Sequence, residues 1–164
     1  MALTLEDGTG IAAADSFATV AEANTFATAR GLTLPATDAA VEILLRKAAD
    51  FLLGIEDRFK GTRSTSTQRL PFPRYDVILP GGYSLNSNAI PDCLKDGQIQ
   101  LAIDSQTTAL NPVGTGREVI EEKVGALGKK YNPTGGSSIS PVFNTALDLL
   151  APILKRSQGS VFRG

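Results

Sequence analysis

Apolar residues recur with the helical period in four places along this chain and alternate like a strand in only a few. Thr19 and Glu22 have the spacing of a capping box, each side chain able to meet a free N–H of an opening turn, and predict a helix from Val20 to Arg30 stopped by Gly31. Val41, Leu44, Leu45, Ala48, Phe51 and Leu52 draw the clearest stripe and predict a second helix between an N-cap at Thr37 and a stop at Gly54. Ile43 and Leu53 lie off that stripe, while Glu42, Arg46 and Asp50 at four-residue spacing read as a solvated face. A third helix is expected from Pro91 to Leu110, apolar on two sides, with Asp96, Gln100, Asp104 and Thr108 as its polar line. Ser140-Pro141 opens a fourth, with Phe143, Ala146, Leu147 and Leu150 on one face and Pro152 ending it near Leu150.

The remainder has different patterns. Leu3 and Leu5 suggest a short strand or extended arm before the turn at Asp7-Gly8. Residues 55–89 lose all periodicity and contain Pro71, Pro73, Pro80 and Gly81-Gly82, which predicts a long loop with an interaction role. Arg58, Lys60, Arg63, Arg69 and Arg74 put five positive charges into it, with no acid between the first and the last. Val119 to Tyr131 reads as a small β-hairpin, at about 117–131, broken by Gly125 and Gly128, with Glu118, Glu121, Glu122 and Lys123 on an exposed face; residues 132–140 read as a linker. The expected fold is therefore mainly α: about four helices in a small bundle, one core domain over 1–151, and an extended C-terminal arm over 152–164.

Composition narrows the chemistry. The 164 residues carry a formal charge of −1, which gives no global attraction to nucleic acid or anionic membrane, so any DNA contact needs a local patch. No apolar run approaches the roughly 18 residues that span a bilayer, and the first residues lack the basic and apolar regions of a signal peptide; a cytosolic or particle-bound protein is expected. There is no histidine and one cysteine, Cys93, which removes Ser-His and Cys-His nucleophile pairs, histidine-bearing metal sites, multi-cysteine zinc sites and any internal disulfide. Cys93 would sit in the first turn of the third helix, where the dipole lowers a thiol pKa, but with no partner base it is read as a packing residue. The GTGREV and GALGKKY stretches miss the glycine spacing of dinucleotide and phosphate loops. No enzyme, no metal and no cofactor are expected.

Taken in order, EDGTG at 6–10, ADSFATVAEAN at 14–24, ARG at 29–31, FKGTRSTSTQRLPFPR at 59–74, NAIPDCLKDGQIQLA at 88–102, EKVGALGKKY at 122–131 and the closing LLAPILKRSQGSVFRG resemble the head-to-tail connector (adaptor or head-completion) proteins of tailed bacteriophages. Some members of that group carry the label DnaT-like single-stranded-DNA-binding. The group usually has an aromatic residue, often Trp, near Phe59 and before FPR; this chain has no Trp. The resemblance implies a structural virion protein in the neck, made in the host cytoplasm, forming a ring of about twelve copies that joins the DNA-filled head to the tail. Its implied partners are the portal, a tail or stopper protein and further copies of itself, with contact to packaged DNA where the basic loop faces the channel.

Two sets of residues follow as candidates. Ile153, Leu154, Arg156, Val161, Phe162 and Arg163 form an apolar and basic arm expected to grip the portal. Arg58, Lys60, Arg63, Arg69 and Arg74 are expected to face the DNA channel or a neighbouring subunit. The alternative reading is a single-stranded-DNA-binding or helicase-loader-like protein, which would pair a basic groove with stacking aromatics.

Overall fold

The computed structural model describes residues 2–110, 119–123, 128–131 and 143–155. They form two compact units: residues 2–110 with 143–155, and the strands between them. The larger unit holds four helices: α1 (Val20–Ala29), α2 (Asp38–Gly54), α3 (Asp92–Asp104) and α4 (Asn144–Leu150). The fold is mainly helical, with a small antiparallel hairpin in the second unit.

α1 starts as its sequence dictates. The Thr19 hydroxyl accepts from the Glu22 N–H at 3.0 Å, and the Glu22 carboxylate accepts from the Thr19 N–H at 2.7 Å. α2 buries Val41, Leu44, Leu45, Ala48, Ala49 and Leu52, each large aliphatic side chain contributing about 1.5–3 kcal/mol of burial. Arg46 on its outer face does more than meet solvent: its Nε donates to Asp15 at 2.7 Å and so clasps the N-terminal segment. That segment makes a single bridge, Leu5 to Ser16, and its turn is closed by the buried Glu6 carboxylate, which accepts from the N–H groups of Gly8, Gly10 and Ile11.

α3 packs against α1, α2 and α4. The two-sided apolar character expected of it is thus spent inside the chain. At its centre Gly97 faces Leu150, where a Cβ would come within 2.6 Å of that side chain, so the close packing of the two helices here relies on the missing side chain. Gln98, fully buried, accepts from the N–H groups of Phe17 and Ala18 and donates to the Ser16 hydroxyl and the Leu45 carbonyl, tying the N-terminal segment to α2 and α3. α3 ends at Asp104 and not near Leu110. The Ser105 hydroxyl donates to the Ala102 carbonyl, and the N–H groups of Thr107 and Thr108 both turn to the Asp104 carbonyl, so local side-chain and turn bonds replace the helical ladder. Gln100, placed on the polar line by its spacing, is buried and donates to Asp104 at 2.9 Å.

In the second unit β3 (Val119–Lys123) pairs antiparallel with β4 (Gly128–Tyr131), with an irregularity between Val119 and Glu121. Residues 111–118, 124–127, 132–142 and 156–164 lie outside the described residues, and with them the 114–116 turn, the linker and most of the arm.

Candidate interaction surface

The segment 55–89 is folded, and its anchor is aromatic. Phe59 and Phe72 are fully buried and meet edge to face at 5.5 Å. A short 3₁₀ turn (Glu56–Arg58) leads into β1 (Thr62–Arg63), which pairs with β2 (Arg74–Tyr75). Gly61, just before β1, has a φ of +70°, and a Cβ there would lie 2.0 Å from the Tyr75 carbonyl, so the FKGT motif needs its glycine for this pairing.

Glu56 is the hub of the loop's charges. Arg63 grips its carboxylate with Nε and Nη2 and donates through Nη1 to the Gln68 carbonyl. Arg74 is buried, reaches the same carboxylate at 3.3 Å, and donates to the carbonyls of Lys60, Gly61 and Pro71. The Arg63 hydrogen bond, with both guanidinium charges, holds the Glu56 carboxyl below its ordinary value against the opposing effect of burial. Burial pushes the Arg74 guanidinium down from its usual value, and Glu56 opposes that shift. Arg69 lies 3.8 Å from Asp50 on α2, both well exposed. Lys60 is half-buried, its Nζ donating to the carbonyls of Ile78 (2.9 Å) and Pro152 (2.8 Å). Arg58 is exposed.

The expectation of charges without local counterions therefore does not hold for Arg63, Arg69 and Arg74. Glu56 stands just before the stretch that contains no acid, and Asp50 belongs to a helix read separately.

The arm candidates also divide. Ile153 and Leu154 are buried in the domain, where Phe59 bridges Leu154 and the Lys60 N–H donates to the Ile153 carbonyl at 2.9 Å. Lys155 continues the pairing, its N–H donating to the Arg58 carbonyl and its Nζ to that of Asp57. The first two portal-contact candidates thus belong to the core, because a β-like edge at 58–60 was waiting for them. Arg156, Val161, Phe162 and Arg163 lie outside the described residues.

A feature missed in the sequence stands beside them. Residues 76–85 form an irregular hairpin over a Pro80-Gly81-Gly82 turn, with the Leu85 N–H on the Val77 carbonyl, the Leu79 N–H on that of Tyr83, and a bridge from Ile78 to Ser84. It carries Ile78 (58% exposed) and Tyr83 (74%), with Tyr75 (47%) just before it; Ile43 is the only other large apolar residue so exposed among the described residues. A Pro-Gly-Gly turn between the apolar run Val77-Ile78-Leu79 and Tyr83-Ser84-Leu85 was the available signal.

Among the described residues no group of three metal-ligating side chains converges, and no helix is long and apolar enough to cross a membrane. Burial raises the Cys93 thiol pKa, the reverse of what its place in the first turn of α3 suggested.

The described residues form a small, mainly helical fold with large apolar side chains exposed on the 76–85 hairpin. The chain belongs to the family described as "Putative DnaT-like ssDNA binding protein", which matches residues 1–164. No curated protein and no solved structure matches it.

Proposed function

We propose that this protein is a structural assembly subunit, the head-to-tail connector of a tailed bacteriophage, which binds neighbouring protein through its 76–85 hairpin. The observation that carries this reading is the division of the surface. Arg63 and Arg74 are consumed by Glu56, Lys60 by two carbonyls, while Tyr75, Ile78 and Tyr83 are left exposed within one short stretch of chain. Aromatic and aliphatic exposure of this kind suits a protein interface more than a phosphate backbone. The ordered motifs that resemble connector subunits supply the specific role: a ring in the virion neck, joined to the portal, to a tail or stopper protein and to further copies of itself, with interfaces of about 1,200–2,000 Å². The role is a structural one, without catalysis or cofactor. Ile78→Ser combined with Tyr83→Ser tests it. The double variant is expected to keep its melting temperature and to be lost from assembled particles; normal incorporation overturns the reading.

A second reading is single-stranded-DNA binding, and the family description favours this one, with nothing among the comparisons speaking for a connector. Tyr75 and Tyr83 would stack on bases, with Arg58, Lys60 and Lys155 nearest the phosphates. Oligonucleotide titration over a range of salt separates the two. Tight binding whose logarithm falls steeply with log salt supports the DNA reading, and its loss in Tyr83→Ser would place the strand on the hairpin.

A further inference from the structure

A groove of about 880 Å³ runs between the 76–85 hairpin and the chain that follows α4. Ile78, Leu79 and Pro80 form one wall, Ala151 and Pro152 the other, and Lys155 lies on its lining. Lys60 staples the two walls, one Nζ donating to a carbonyl on each side. Asp76 and Asp148 also line the groove, and neither makes an ion pair with another described residue.

We propose that this groove is the docking site of the chain's own residues 156–164, held in the same molecule. The segment starts one position beyond Lys155, at the groove itself, and its sequence is RSQGSVFRG. Val161 and Phe162 match the apolar walls, and Arg163 or Arg156 matches Asp76 and Asp148. Val161 follows Lys155 by six positions, a reach of up to about 20 Å, and Gly159 allows the chain to double back. So short a tether places the segment at an effective concentration in the millimolar range, so weak contacts are sufficient to dock it. The inference does not depend on either functional reading, since a docked segment leaves the groove whenever a partner takes it.

The absence of tryptophan makes this directly testable in the full chain. Phe162→Trp introduces a single indole. Docking predicts a blue-shifted emission, several-fold weaker quenching by acrylamide than for a free indole, and no change of either on dilution. Adding Ile78→Glu, or Asp148→Lys on the opposite wall, moves the emission to that of a solvent-exposed indole while the far-ultraviolet spectrum keeps its helical signal. Solvent-exposed emission in the single variant, or emission that neither groove substitution alters, overturns the proposal. Protection that disappears on dilution also overturns it, since the occupant would then be a second copy.

Discussion

Gln98 fills all four hydrogen-bonding positions of its amide with buried partners from two separate segments, residues 16–18 and α2. Gln98→Leu keeps the volume but strands the N–H groups of Phe17 and Ala18, so a loss of roughly 2–4 kcal/mol is expected in denaturant unfolding. Nothing in the sequence singled this residue out, because a glutamine between apolar neighbours looks the same whether it meets water or backbone. The same is true of Glu56. Its value to the fold is visible only when Arg63 and Arg74 are seen converging on it. Its folded-state pKa lies below the ordinary 4.5, so the stability it supplies is full above that value and is lost as pH falls through the lowered one. Wild type should exceed Glu56→Gln in unfolding free energy at neutral pH, and the gap should narrow as the pH is taken below about 4.5; a gap independent of pH would show that the carboxylate's charge contributes nothing.

At the scale of elements, helix periodicity and caps were legible wherever burial follows one face. α1, α2 and α4 lie within a few residues of their expected ends, and the capping box at Thr19 and Glu22 is present as read. The long loop was not legible, since its order comes from contacts distant in sequence: Phe59 on Leu154, and Arg74 on the carbonyls of residues 60 and 61. This changes what charge reversal there should do. Arg63→Glu sets a second carboxylate against Glu56 and should lower the melting temperature markedly, whereas Arg58→Glu, at an exposed site, should change stability by no more than about 0.5 kcal/mol. Equal effects in thermal melts would remove the hub from the account. The contact of α3 with α4 gives another test. Gly97→Ala gains about 1 kcal/mol of helix propensity but forces a methyl group toward the fully buried Leu150, at a cost of roughly 1–3 kcal/mol, so net destabilisation is expected. A rise in melting temperature would mean that Leu150 gives way freely.

For the whole molecule, the four-helix, mainly α character was readable because it depends on local period, and the interaction surface was not, because it depends on which side chains remain after the core and the ion pairs are formed. The apolar faces of α3 are satisfied within the chain, and among the described residues the large apolar side chains left exposed are Tyr75, Ile78 and Tyr83, with Ile43 on α2. The proposed role as an assembly subunit therefore rests on the 76–85 hairpin and on the ordered motifs, while the family description points to single-stranded DNA. If the proposed role holds, the chain is part of a tailed-phage particle, and electron-microscopic reconstruction of that mature particle decides most directly. A ring of this domain in the neck is expected, with Ile78 and Tyr83 at an interface with protein; a complete neck reconstruction with no density for the chain would contradict the proposed role.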